Sequence, residues 1–216
     1  MKPQICAVIT DKDLEAIAGA APLADLFEVR IDLIGEGWPE VVKHLTKPWI
    51  ATNRLAAEGG RWQESEARRK EELLKAIELG ASYIDIELAT PNLDKVIALL
   101  KKRARCIVSY HNMEGTPAQA ELKATIKKQL DAGADICKVV GTASRVEDNL
   151  DILKLIGEFP GKQVIAFAMG PLGITSRILS PLAGSPFAYA AVKKGGESAT
   201  GQLTAKELTD YYDLLR

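Results

Sequence analysis

Asp135-Ile136-Cys137-Lys138-Val139-Val140 is a short apolar run with one lysine where a hydrophobic side chain is expected. Ile136, Cys137, Val139 and Val140 have the character of a strand buried on both faces, the kind a parallel sheet uses. An ammonium carried into such a strand loses its water, and desolvation favours the neutral, nucleophilic amine. A neutral lysine can attack a carbonyl and form a Schiff base. The rival reading is a lysine that snorkels out of the strand end or pairs with a carboxylate. The remainder of the chain decides between them.

Working outward, Gly133-Ala134 before this run resembles Gly80-Ala81 before the run at 83–88, a weak repeat of one strand-and-helix unit in which each glycine caps the preceding helix. Further strand-like runs fall at 4–10, 25–31, 49–53, 106–110, 163–168 and 187–192. Amphipathic stretches separate them: 11–19 with Asp11 as its N-cap, 39–44, a long charged helix ending near Leu79, one opened by Thr90-Pro91, then 117–131, 146–158, 174–179 and 204 onward. Eight strands each followed by a helix predict an α/β chain folded as one (β/α)8 TIM barrel over residues 1–216. A doubly wound open sheet would need a glycine-rich first turn, and Thr10-Asp11-Lys12-Asp13 has no glycine.

Composition narrows the function classes. A net charge of -1, without a basic arm or stripe, gives no case for nucleic acid. No apolar run reaches the roughly 18 residues of a membrane span, and the first ten residues are too lightly apolar for a secretory leader, so a cytoplasmic location is expected. Cys6, Cys106 and Cys137 lie in apolar runs without metal-ligand spacing, and the chain has only two histidines, so no metal site is expected, and lysine imine chemistry needs no organic cofactor.

A barrel demands that active residues cluster at the C-terminal ends of its strands. Glu28 and Arg30 end the second run, Arg54 follows the third, Asp85 and Glu87 end the fourth, Ser109 and His111 end the fifth, and Lys138 lies on the sixth. Alternation supports the same placement. Glu28, Arg30 and Asp32 share one face against Phe27, Val29 and Ile31, and Asp85 and Glu87 oppose Ile84 and Ile86. With the apolar faces toward helices, the charged ones point into the barrel mouth. Ion pairs plugging a polar lumen remain the bland reading of any one of them.

Together these motifs resemble the type I 3-dehydroquinate dehydratases. The resemblance rests on Phe27-Glu28-Val29-Arg30-Ile31-Asp32, Thr52-Asn53-Arg54 with Glu58-Gly59-Gly60, Tyr83-Ile84-Asp85-Ile86-Glu87-Leu88, Ser109-Tyr110-His111, Asp135-Ile136-Cys137-Lys138, Met169-Gly170, Ser176-Arg177, Gly184-Ser185-Pro186 and Gly201-Gln202. It implies that Lys138 is the Schiff-base lysine, His111 the proton-transfer residue and Glu87 its orienting partner. It implies further that Arg177, Ser198 and Gln202 hold the carboxylate of 3-dehydroquinate, that Glu28, Arg30 and Arg54 meet its ring hydroxyls, and that the protein is a homodimer. Two departures are Thr200, where the family often has proline, and Ala188, where threonine is frequent.

The residue types suit the chemistry. Losing water from a 3-keto ring acid takes a proton alpha to the ketone and a hydroxyl beta to it. An imine on Lys138 offers a cationic electron sink, His111 can move the proton, and a carboxylate can fix its tautomer. A class I aldolase or transaldolase would also use a barrel lysine, with Gly195-Gly196 as a phosphate cradle, and a barrel that only binds a small acid is the non-enzymatic alternative. The stretch from Lys194 to Gln202, glycine-bearing at both ends and without an apolar anchor, is expected to be a lid that orders over substrate.

Overall fold

A computed structural model describes residues 2–215. In chain order its elements are β1 (Ile5–Ile9), α1 (Leu14–Ala20), β2 (Leu26–Arg30), α2 (Ile31–Ile34), α3 (Trp38–Val42), β3 (Trp49–Thr52), α4 (Glu66–Glu78), β4 (Tyr83–Glu87), α5 (Leu93–Leu100), β5 (Arg105–His111), α6 (Gln119–Asp131), β6 (Ile136–Thr142), α7 (Asp148–Gly157), β7 (Gln163–Met169), α8 (Ile174–Leu179), β8 (Ala188–Ala191) and α9 (Ala205–Leu214). The strands form one parallel sheet in the order β7-β6-β5-β4-β3-β2-β1-β8, curled into the (β/α)8 barrel that the alternation predicted.

Alternation sorts the side chains into two cores. Cys6, Val8, Leu26, Ile50, Ile107, Ile136, Ile165, Phe167 and Tyr189 fill the lumen. Ala7, Phe27, Val29, Ile84, Ile86, Cys106 and Val108 face outward onto Ile17, Leu73, Ile77, Ile97 and Leu100 of the helices. Each fully buried Leu or Ile contributes roughly 1.5–3 kcal/mol, so a one-residue register slip, which would exchange the two sets, is strongly opposed.

Among the described residues no ladder joins β7 to β8, and side chains close that seam. Ser185 Oγ donates to the carbonyl of Val164 at 2.9 Å, the N–H of Ala168 donates to Ser176 Oγ at 2.9 Å, and the rings of Phe167 and Tyr189 meet at 6.1 Å. Hydroxyls thus satisfy edge groups of β7 that a neighbouring strand would otherwise pair.

Two local expectations are corrected. Helix α1 is capped by Asp13, whose carboxylate accepts from the N–H of Ala16, while Asp11 caps the N–H of Asp13 instead. The second strand ends at Arg30 and passes directly into α2, so Asp32 is helical and not on the strand face. Its carboxylate reaches back to grip Arg30 with two hydrogen bonds of 2.9 and 2.8 Å. Among the described residues no helix is long and apolar enough to cross a membrane.

Candidate active site

The C-terminal mouth of the barrel holds a cavity of about 430 Å³, lined by Glu28, Arg30, Arg54, His111, Lys138, Arg177, Ser198 and Gln202 together with Glu58, Phe167 and Tyr189. Strand register explains the grouping on one wall. Ser109 pairs with Lys138, Glu87 pairs with Ser109, and Asp85 lies two residues below Glu87 on the same face.

Lys138 is almost completely buried, yet not among apolar groups alone. Its Nζ donates to Asp85 Oδ2 at 2.9 Å, lies 3.8 Å from Glu28 Oε1, and stands 4.2 Å from the ring centre of Tyr189. The carboxylate pairing weighed as the bland reading of the sequence is therefore present, and it sits inside the cavity. Arg54 supplies the next links: Nη2 to Asp85 Oδ1 at 2.7 Å, Nη1 to Glu87 Oε1 at 3.0 Å and to Ser109 Oγ at 2.6 Å. Burial would push the Asp85 carboxyl up, but the charges of Arg54 and Lys138 outweigh it and hold it well below the usual carboxylate range. Burial likewise works against the Arg54 guanidinium, and Asp85 and Glu87 overrule it, raising its pKa further.

The structure corrects the partner assigned to His111. Glu58, not Glu87, stands at its Nδ1, at 2.8 Å, and the backbone N–H of His111 donates to the same carboxylate oxygen at 3.0 Å. Glu87 is turned away, its oxygens taken by Arg54, by the N–H of Leu55 at 3.1 Å and by Arg69 at 2.5 Å. Glu58 ends a short 3-10 turn, Ala56–Glu58, which Gly59 terminates in the left-handed region at φ 80°. A Cβ at Gly60 would lie 2.0 Å from the carbonyl oxygen of Arg54, so only glycine lets this loop fold back to the mouth. Burial pushes the Glu58 carboxyl up to about 7. Burial, then the cations Arg54 and Lys138, lowers the His111 imidazole well below its ordinary value.

The opposite wall is built differently. Arg177, on α8, is 5% exposed, and among the described residues no carboxylate lies within ion-pair reach of it. Among the described residues its Nε has no partner and its Nη2 reaches only the carbonyl of Thr200 at 3.4 Å, and its guanidinium stacks 4.7 Å from the Phe167 ring centre. Burial lowers its pKa to about 10. Ser198 donates from its N–H and hydroxyl to Gln202 Oε1 at 2.7 and 3.1 Å, so those two side chains engage each other beside it. The loop they belong to is docked over the mouth. Ala199 packs on the lumen cluster, contrary to the expectation of no apolar anchor, and the carbonyl of Thr200 accepts from the N–H of Gly170 at 3.1 Å. At its base Lys193 pairs with Asp11 and Asp13 at 2.8 and 2.7 Å.

Comparison with known proteins identifies the family. The family model of type I 3-dehydroquinase matches residues 5–216. A 3-dehydroquinate dehydratase of Dehalococcoides mccartyi is 45% identical over 210 residues, covering 97% of this chain and 95% of its own, and one of Methanosarcina acetivorans is 36% identical, covering 100% and 96%. The 3-dehydroquinate dehydratase of Geobacillus kaustophilus superposes with a TM-score of 0.87 at 26% identity, covering 100% of this chain and 91% of that one. The type I enzyme of Clostridium difficile, solved with covalent modified comenic acid, gives 0.86 at 26% identity, covering 99% and 92%. With a match running over nearly the whole chain and over nearly the whole of these relatives, the chain belongs to the type I 3-dehydroquinase family, enzymes that dehydrate 3-dehydroquinate.

Proposed function

We propose that the chain converts 3-dehydroquinate to 3-dehydroshikimate, in the shikimate route to aromatic amino acids, through an imine on Lys138. The observation that carries this is a buried lysine amine set in one cavity with a histidine base and with a buried arginine that lacks a carboxylate. Lys138 gives up a proton and adds as the amine to the C3 ketone, and the resulting carbinolamine hydroxyl takes up that proton and leaves as water, giving a protonated imine. That cation takes the place of the ammonium between Asp85 and Glu28, so its counterions stand in position before it forms.

His111, kept neutral by burial, takes the proton alpha to the imine on Nε2 while Nδ1–H is held by Glu58. The electron pair moves to the imine nitrogen, making an enamine. The enamine then pushes out the beta hydroxyl, which receives the proton back from the imidazolium and departs as water. Hydrolysis of the conjugated imine frees Lys138. Glu58 thus takes the orienting role first given to Glu87.

Arg177 meets the substrate carboxylate with a guanidinium fork, assisted by Ser198 and Gln202, while Glu28, Arg30 and Arg54 face the ring hydroxyls. That arrangement favours a planar carboxylate over the phosphate of an aldolase substrate. One catalytic domain, a cytoplasmic location and a homodimer complete the proposal.

Borohydride reduction of the purified protein with 3-dehydroquinate tests it. The wild-type chain and His111→Ala should gain the mass of the reduced adduct, with turnover of His111→Ala down by ~10² to 10⁴. Lys138→Ala should neither trap nor turn over, and an adduct on that variant would overturn the assignment.

A further inference from the structure

Arg69 is completely buried although it belongs to α4, outside the barrel. All five of its N–H donors have acceptors. Nε and Nη2 grip Glu66 at 2.8 and 2.9 Å, Nη2 also donates to Thr90 Oγ1 at 2.9 Å, and Nη1 donates to the carbonyl of Asn53 at 3.3 Å and to Glu87 Oε2 at 2.5 Å. On the same buried face of α4, Glu72 accepts from Trp38 Nε1 at 2.8 Å, away from the barrel mouth, and Leu73, Ala76 and Ile77 are the ordinary packing residues of a barrel helix. A guanidinium fixed at every donor is not needed for that packing.

We propose that Arg69 is a positioning residue for the reaction, acting on Lys138 through Glu87, Arg54 and Asp85. The side chains Glu66, Arg69, Glu87, Arg54, Asp85 and Lys138 alternate in charge and touch in sequence from the outer helix to the reacting amine. Glu87 is the joint. Arg69 occupies Oε2, leaving Oε1 for Arg54 and for the N–H of Leu55. With Glu87 so divided, Arg54 spreads its other donors over Ser109 and Asp85 Oδ1, and Asp85 Oδ2 remains for Lys138. Without Arg69, both oxygens of Glu87 compete for Arg54, which turns away from Asp85, and Lys138 loses the alignment its counterion gives it. The inference rests on the reading of Lys138 as the imine-forming residue, and it extends that reading to a residue that never meets substrate.

The test uses Arg69→Met and Arg69→Lys, each with borohydride trapping at saturating 3-dehydroquinate to count competent sites, so that turnover is expressed per trapped site. Positioning predicts at least a tenfold fall in kcat per trapped site for Arg69→Met. Arg69→Lys, which keeps the charge but offers Glu87 a single unforked donor, falls between that variant and the wild type. It predicts also that Arg69→Met and Glu87→Gln together cost much less than the product of their separate effects, because both break one joint. Normal turnover per trapped site, even with fewer sites, would reduce Arg69 to a structural residue and overturn the proposal, as would multiplicative effects of the pair. Failure of the wild-type protein to trap would strike the Schiff-base reading instead, and the kcat values of the double-variant cycle would still decide the role of Arg69.

Discussion

The two walls of the cavity handle buried charge in opposite ways. Around β3 to β6, Arg54, Asp85, Glu87 and Lys138 balance one another's charges, so that wall is saturated in charge before any ligand arrives. Around β7 and α8, Arg177 is equally buried, stacked on an aromatic ring, and short of a hydrogen-bond acceptor at Nε. A saturated network holds a reacting group in one geometry, whereas an unpartnered cation keeps its attraction for whatever anion arrives. Positioning and affinity are therefore separable in this molecule, and each should fail by itself.

The largest effect should come from breaking the saturated wall. Asp85→Asn leaves two buried cations, Arg54 and Lys138, without their shared carboxylate, and removing one partner of such a network costs ~3–5 kcal/mol. Urea unfolding at neutral pH measures it, and a variant within 1 kcal/mol of wild type would mean that the network contributes little to the fold.

On the open wall the sign reverses. Arg177→Met removes a buried cation that has no counterion among the described residues, so the empty protein should be as stable as wild type or more so, while affinity for a non-reacting analogue of the substrate falls by ~1.5–3 kcal/mol. Calorimetric titration together with thermal unfolding checks both halves. A loss of stability would show that Arg177 is held by something other than the incoming anion.

Glu58 sharpens the contrast at the rim. Its carboxyl is raised from 4.5 to about 7, so the folded chain holds a proton that the unfolded chain has released. The stability this contributes is present below pH 4.5 and is lost as pH rises through 7. Glu58→Gln should flatten that slope and come out ahead of wild type at pH 8 by about 1 kcal/mol or more, while turning over more slowly. Urea midpoints at pH 5 and 8 read it directly, and parallel curves for the two proteins would contradict the raised carboxyl. His111, lowered by burial, tilts stability in the opposite sense, and it does so in both proteins.

Strand periodicity made most of this legible in the sequence. Lys138, His111, Glu28 and Arg54 were found because side chains alternate along β-branched runs and because a barrel collects the ends of its strands. The partner of His111 has no such basis, since only the family resemblance points to Glu87. Glu87 stands in register with Ser109, but its carboxylate is drawn aside by Arg54 and Arg69, and neither pull has a period in sequence. Glu58 lies on a non-repeating turn, and its only sequence signal was the Gly59-Gly60 pair that folds it back. Alternation misplaces Asp32, since nothing between Arg30 and Ile31 marks the passage from strand to helix.

The seam between β7 and β8 gives the barrel the mechanics of a hoop with one joint. Seven ladders resist stretching around the circumference, and the eighth interval is spanned by hydroxyls, two aromatic rings and the single backbone bond from Gly170 to Thr200 at the mouth. A small widening there breaks no backbone ladder, so this is where the hoop gives way at least cost. Arg177 and the loop bearing Ser198 and Gln202 stand on the two sides of that joint, while Lys138 and His111 belong to the continuous arc. The wall that carries Arg177 can thus give way without disturbing the spacing of Lys138 and His111.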